Sequence, residues 1–465
     1  MWCVWFLLLT PYCLLLTYFK DMFHKILIAN RGEIAVRIIR ACKELGIRTV
    51  AVYSEADKGS LHTKLADEAI CIGPARSKDS YLNVSSIISA AEVTDAEAIH
   101  PGYGFLAENA EFAEICENCG IKFVGPSSHS MRLMGNKIQA KKEVEKLRVS
   151  VLPWSSSGIK DEKDAIDIAR RIGFPVIIKA AAGGGGRGMK LVHTPASFGN
   201  AFHTATNEAQ AAFGNGDVYI EKFCEAPRHI EIQVIADKYG NLVYLGERDC
   251  SIQRRHQKIL EEAPSPVLDE KLRRSMGDTA VRIAKAIGYT NVGTVEFLLD
   301  KNMRYYFMEM NTRVQVEHPV TEMVTGIDII KEQIKLAAGE RLRFKQKHIR
   351  IKGHSIECRI NAEDPDTFVP CPGKITSLHM PGGPGVRLDS AISCNYIVPP
   401  HYDSLLAKLI VYGDSRAEAI SRMAMALDEM EIEGVKTNIP LHRKIMNDYD
   451  FIAGNVDINF LNRFG

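Results

Sequence analysis

The stretch Thr294-Val-Glu-Phe-Leu-Leu-Asp-Lys-Asn-Met-Arg-Tyr-Tyr-Phe-Met-Glu-Met-Asn-Thr-Arg-Val-Gln-Val-Glu317 holds two runs that alternate at the period of a β-strand, separated by the polar turn Lys301–Arg304. Closing that turn as a hairpin sets Glu296 and Glu309 directly opposite each other on one face. Like charges so placed destabilise a sheet, and a divalent cation between them resolves the conflict. Oxygen-only ligands point to Mg²⁺ or Mn²⁺, with Asn311 two residues on to complete the set. The alternation carries on, putting Glu309, Asn311, Arg313, Gln315 and Glu317 on one face and Met310, Thr312, Val314 and Val316 on the other. A solvated edge strand would also be polar on one face. Against that reading, two acids, an arginine and an amide converge beside the paired glutamates, His318-Pro319 follows at once, and aromatic residues precede.

Upstream, the apolar strand Pro175–Ala180 runs into Gly183-Gly-Gly-Gly-Arg-Gly188. So many glycines would weaken a strand or helix interior, but they let backbone N–H groups approach phosphate oxygens. The run is neither a P-loop nor a dinucleotide fingerprint. Alone it could be a flexible hairpin tip; Lys179 at the end of the strand favours phosphate. Between these segments lies the basic cluster Arg248-Asp-Cys-Ser-Ile-Gln-Arg-Arg-His-Gln-Lys258, which suits an enzyme handling several anions at once. Together the residues describe a protein that binds a metal–nucleotide and activates an acid, as a ligase or a kinase.

The remaining composition narrows the class. At 465 residues, with 46% hydrophobic and 25% charged residues and a net charge of +1, the chain is an ordinary globular protein of several units, and its balance argues against a nucleic-acid or membrane-surface binder held by bulk charge. Eleven scattered cysteines suit a reducing cytoplasm. Cys116 and Cys119 read as one helical turn, since no second pair or histidine follows at zinc spacing. From Lys25 to about Ser127, strands alternate with helices, as in a parallel sheet covered on its faces; Ile34, Ile38, Cys42 and Leu45 recur at helical spacing. Strands are expected at Leu242–Glu247 and His229–Ala236 in the mixed body, and short strands and closing helices after Lys352. From Trp2 to Phe19 the N-terminal extension is almost wholly apolar, broken by Thr10, Pro11 and Thr17, and near the minimum length of a membrane span, without the positive flank of a secretory signal or the Arg/Ser richness of a transit peptide. Met22 is read as the true start, with a membrane anchor as the other reading.

The motifs Ile28-Ala-Asn-Arg-Gly-Glu-Ile34, His100-Pro-Gly-Tyr-Gly-Phe-Leu-Ala-Glu-Asn109, Gly183–Gly188, Gln253–Lys258, Glu309–Pro319 and Glu357-Cys-Arg-Ile-Asn-Ala-Glu-Asp-Pro365 resemble those of biotin carboxylases, over nearly the whole chain from Met22. The resemblance implies an α/β, ATP-grasp fold in three parts: a Rossmann-like domain over 22–135, an ATP-grasp domain over 136–350 with a mobile lid at about 152–225, and a C-terminal α+β domain over 351–465. It implies that Lys137, Lys179 and the lid glycines Gly184, Gly185 and Gly186 hold nucleotide phosphates, that Glu221 and Lys222 sit at the adenine link, and that His229, Gln253 and His256 lie around the nucleotide. Glu296 and Glu309, with Asn311, match metal ligands for two Mg²⁺ or Mn²⁺ ions. Lys258, Arg313, Gln315 and the Val316 backbone match a bicarbonate pocket, Glu317 the general base, and Arg359 the residue that stabilises the biotin enolate. No Ala-Met-Lys-Met biotin-attachment motif occurs, so biotin is expected on a separate carrier protein, with carboxyltransferase subunits, acetyl-CoA as the final acceptor (pyruvate as alternative), and a homodimer. A carbamoyl-phosphate type of synthetase would need an ammonia supply and usually a duplicated half. A non-catalytic regulatory subunit fits poorly with intact catalytic positions.

Overall fold

The computed structural model describes residues 22–159, 161–181 and 189–464; the apolar N-terminal extension and the glycines Gly184, Gly185 and Gly186 lie outside them. Five parallel strands open the chain. Lys25–Ile28 lies at the centre, flanked by Arg48–Tyr53 and then Glu68–Cys71 on one side, and by Ala98–His100 and then Lys122–Phe123 on the other. The helix Gly32–Glu44 follows the central strand and buries Ile34, Ala35, Ile38, Ile39 and Cys42, the expected stripe; each fully buried branched side chain contributes about 1.5–3 kcal/mol. It ends at Leu45 and at Gly46, whose φ of +73° is the left-handed stop that glycine adopts without a Cβ penalty. The order in which strands are added reverses between Lys25–Ile28 and Ala98–His100, and at such a switch point the loops leaving the strands form a crevice. Here Asn30 donates to the carbonyls of Pro101 and Tyr103 at 2.7 and 2.8 Å. A Cβ on Gly102 would sit 3.0 Å from the Asn30 amide and 3.1 Å from Ile34, so glycine permits that close approach.

The second body is an antiparallel sheet of eight strands: Tyr305–Asn311, Asn291–Leu299, Arg228–Ala236, Leu242–Arg254, Gln257–Ala263, His354–Asn361, Leu405–Gly413 and Val386–Ser390, in that spatial order. It runs without a break across residue 351, so the C-terminal segment and the central body share one sheet. Leu242–Arg254 extends well past the expected end at Glu247 and turns through Arg255 and His256, both at positive φ (49° and 67°), the geometry that matches strand twist in a two-residue hairpin. One face is backed by Glu270–Ala286, whose Met276, Ala280 and Ile283 join Ile230, Ile232 and Val295 in a core. Arg416–Glu429 and Ile439–Met446 cover the C-terminal strands.

A smaller antiparallel sheet of Lys190–Val192, Val176–Ala180 and Val218–Lys222 packs its own core of Val176, Ile178, Phe198, Phe202 and Ile220 against the helices Glu162–Ile172 and Phe198–Phe213. Cys116 is buried in the helix Ala110–Asn118 and Cys119 caps it. Among the described residues no helix is long and apolar enough to cross a membrane.

Candidate active site

The hairpin forms with Glu296 and Glu309 as direct register partners. The next strand along adds a third acid: Glu231 is the partner of Glu296, and Arg248 is the partner of Glu231. Glu309, Glu296, Glu231 and Arg248 thus form one row across four strands. Three adjacent acids on one face are tolerable only if cations answer them, and the structure supplies those cations.

Lys258 stands at the centre. Its ammonium donates to Glu317 at 2.7 Å, to Glu296 at 3.1 Å and to Glu231. Burial alone would lower its pKa, but Glu231, Glu296 and Glu317 drive it well above the ordinary lysine value. Glu296 is the busiest acceptor: Asn311 Nδ2 and Gln315 Nε2 each donate to its Oε1 at 2.6 Å, and His229 Nε2 meets its Oε2 at 2.8 Å. Burial pushes this carboxyl up, yet Lys258 and His229 outweigh it and hold it well below the usual range. His229 in turn rests against Gln253 Nε2 through Nδ1, at 2.9 Å. Glu309 is partly exposed and pairs with Lys137 at 3.1 Å.

Glu317 closes the cluster. Its second oxygen accepts from Arg359 Nη2 at 2.9 Å. Although burial favours its neutral form, Lys258, Arg359 and Arg248 hold the carboxyl well below its ordinary value, so it stands ready as an anion. Arg359 is anchored from behind, donating Nε to Glu261 at 2.6 Å.

The strand expected to continue from Glu309 to Glu317 ends at Asn311. Residues 312–317 are irregular and lead into the helix His318–Thr325. The side chains still converge, held by individual bonds where the sequence pattern implied strand pleating. Gln315 bridges Glu296 and Arg248. Arg313 reaches Asn311 Oδ1 at 3.1 Å and is clamped at 2.8 Å by Glu108, from the loop after the fourth strand of the first sheet. The Val316 carbonyl accepts from Lys408 at 3.0 Å.

The nucleotide-side residues fall in two groups. Glu221 is buried between Lys141 (2.9 Å) and Lys179 (3.4 Å), and burial lowers the pKa of Lys179. The Lys222 ammonium turns to the carbonyls of Gly173 and Phe174, both at 2.9 Å. His256 sits on the hairpin tip, its pKa lowered by partial burial and by Lys179.

Several residues received no individual role from the sequence, although Arg248 and Glu108 lie within stretches quoted above. Arg248 is completely buried and donates to Glu231, Gln233, Thr294, Gln315 and Thr321. Glu231, Lys141, Glu108 and Lys408 belong with it. A signal was available for two of them: His229, Glu231 and Gln233 alternate with Ile230, Ile232 and Val234, and Lys408 interrupts the apolar run Leu405–Gly413.

Three family models cover the chain: biotin carboxylase N-terminal domain over 22–131, carbamoyl-phosphate synthase L chain ATP-binding domain over 136–345, and biotin carboxylase C-terminal domain over 357–463. The chain belongs to the biotin carboxylase family. Membership makes it an ATP-dependent carboxylating ligase. Curated relatives include biotin carboxylase of Nostoc sp., 58% identical over 94% of this chain and 98% of that protein, and biotin carboxylase 1 of Bacillus subtilis, 58% identical over 95% and 99%. Among solved structures, the biotin carboxylase–β,γ-ATP complex from Campylobacter jejuni superposes with a TM-score of 0.94 at 52% identity, covering 95% of this chain and 99% of that one. The biotin carboxylase domain dimer of Hydrogenobacter thermophilus 2-oxoglutarate carboxylase, in complex with MgADP, ADP and bicarbonate, gives 0.93 at 52%, covering 95% and 98%.

Proposed function

We propose that this enzyme uses ATP and bicarbonate to carboxylate biotin borne on a separate carrier protein. The observation that carries the reading is the Glu317 carboxylate, buried and ionised between Lys258 and Arg359 at 2.7 and 2.9 Å. A base so held can take a proton from a small anion that the same cations attract.

In this account Lys258, Arg313, Gln315 and the Val316 backbone bind bicarbonate, and Glu317 removes its proton. The oxyanion attacks the γ-phosphorus of ATP and expels ADP, forming carboxyphosphate. That anhydride breaks to CO₂ and phosphate; the phosphate accepts the N1′ proton of biotin, Arg359 neutralises the ureido enolate, and N1′ attacks CO₂. Lys137, Lys179 and the glycines Gly184, Gly185 and Gly186 serve the nucleotide phosphates, Glu221 and Lys222 the adenine link, and His229, Gln253 and His256 the surroundings of the nucleotide. Glu296 and Glu309 fit a hard divalent cation: the two residues are register partners, their carboxylates now answered by Lys258, His229 and Lys137, and Asn311 donates to Glu296. Mg²⁺ or Mn²⁺ held there, as two ions, would neutralise charge on phosphate oxygens.

The dimeric, MgADP- and bicarbonate-bound relative supports a homodimer with the same ligands. The final acceptor is proposed to be acetyl-CoA, through separate carboxyltransferase subunits, with pyruvate as the alternative. The free cysteines of the described residues favour the cytoplasm.

The test is ADP release by the protein starting at Met22, with Mg²⁺, ATP and bicarbonate, with and without free biotin. Release that needs bicarbonate and rises with biotin supports the proposal. ADP release indifferent to biotin means another acceptor, and ATP binding without any release means a regulatory module.

A further inference from the structure

Behind Arg359 the central sheet buries two acids side by side. Glu261 and Glu357 are register partners on neighbouring antiparallel strands, so their side chains leave the same face. Neither exposes any surface to solvent. Glu261 spends Oε1 on Arg359, while its Oε2 and both oxygens of Glu357 have no hydrogen-bond partner. Three bare carboxylate oxygens in an interior are costly if both groups are charged.

The cations around the pair are already engaged. Arg359, on the strand of Glu357, is divided between Glu261 and Glu317. Lys408, on the strand Leu405–Gly413, donates to the Val316 carbonyl and pairs with Glu33 at 3.2 Å. The Tyr103 hydroxyl, from the loop after the fourth strand of the first sheet, donates to Glu33 as well. Glu317, on the irregular segment before its helix, adds a further negative charge. Lys258, on the strand of Glu261, also favours the ionised form of Glu261, but its ammonium is held by Glu231, Glu296 and Glu317, so these groups supply no second full positive charge to two ionised glutamates.

We propose that Glu261 and Glu357 hold one proton between them in the folded protein, and that this keeps Arg359 available to Glu317 and to the charge that develops on the substrate. The inference rests on the role given above to Arg359. Burial raises Glu357 well above the ordinary carboxylate range, and it pushes Glu261 up to about 7. Were both ionised, two adjacent charges would compete with Glu317 for one guanidinium. With one proton shared, Glu261 anchors Arg359 and Glu357 stays neutral. The two are positioning residues, acting on the reaction through Arg359 alone.

The experiment uses the full chain, wild type and Glu357→Gln, with ¹³C-labelled glutamate. Infrared spectra near pH 7 are expected to show a protonated-carboxyl C=O stretch that shifts in D₂O and disappears in Glu357→Gln. Melting curves give a second reading. A carboxyl whose folded pKa is raised contributes stability that is complete below its unfolded pKa and is lost as pH rises through the folded value. Glu357→Gln should therefore melt at or above wild type near pH 8, with the gap shrinking towards pH 5. For activity, Glu357→Ala should lose biotin-dependent ADP release while Glu357→Gln keeps it within about threefold. A wild-type spectrum without the band, or a Glu357→Gln protein that melts well below wild type near pH 8, would overturn the proposal. The spectrum and the melting curves need no turnover, so they stand or fall apart from the proposed reaction.

Discussion

Replacing Lys258 with methionine removes a cation that touches three buried carboxylates at once. At a separation of about 3 Å and an effective dielectric of about 20, each contact carries roughly 5 kcal/mol of gross attraction. Most of that offsets the cost of taking the charges out of water. Removing one partner of a buried pair costs about 3–5 kcal/mol net. Here the survivors keep other support: Glu231 has Arg248, Glu317 has Arg359, and Glu296 has His229, Asn311 and Gln315. The lower end, about 3 kcal/mol, therefore applies. The deficit must also depend on pH. Without Lys258, at least one of Glu231, Glu296 and Glu317 takes up a proton on folding, and a raised carboxyl pKa gives stability that is lost as pH rises. Thermal melting should show Lys258→Met well below wild type near pH 8 and closer to it near pH 6. Its kcat should fall about 10²–10³-fold, the usual effect of deleting one preorganised electrostatic contact. A variant that melts with wild type at both pH values, or whose deficit ignores pH, would refute the reading of Lys258 as the common counter-ion.

Arg248→Lys keeps the charge but cannot span five acceptors; it should cost about 2–4 kcal/mol by melting and lower kcat more than it changes the KM for ATP. Glu309→Gln should raise the Mg²⁺ concentration needed for half-maximal ATP turnover by about tenfold or more, read from a metal titration; an unchanged titration would remove Glu309 from the metal set. Glu262 is held below its ordinary pKa despite burial, by His354 and Arg416. That stability is present above the ordinary carboxylate value and lost as pH falls through the depressed one, so Glu262→Gln should cost about 3 kcal/mol near pH 7 and progressively less below about pH 4.

How much of this was legible follows from how local each signal is. The hairpin with Glu296 opposite Glu309 was readable because both strands alternate and a polar turn joins them. The same rule misled beyond Asn311, since a period of two persists in residues 312–317 although the backbone there is irregular. Convergence of Arg313, Gln315 and Glu317 comes instead from Glu108, Arg248 and Lys258, each distant in sequence. Glu231 and Gln233 went unnoticed because alternation of polar and apolar residues looks the same whether the polar face meets water or a buried charge network. Lys141 and Glu221 illustrate the same gap: only tertiary packing brings a helix lysine onto a strand glutamate. The eight-stranded sheet crosses residue 351 through pairing of Gln257–Ala263 with His354–Asn361, a long-range register that composition and turn signals do not encode.

The central claim, that the Glu317 cluster activates bicarbonate for transfer to biotin, is tested most directly by following isotope. With Mg²⁺, ATP and free biotin, ¹⁴C from labelled bicarbonate should appear in acid-labile carboxybiotin. Wild-type protein should incorporate label in step with ADP release, while Glu317→Gln should bind ATP and incorporate almost none. Label reaching biotin at the wild-type rate in Glu317→Gln, or ADP released with no label in biotin, would contradict the account.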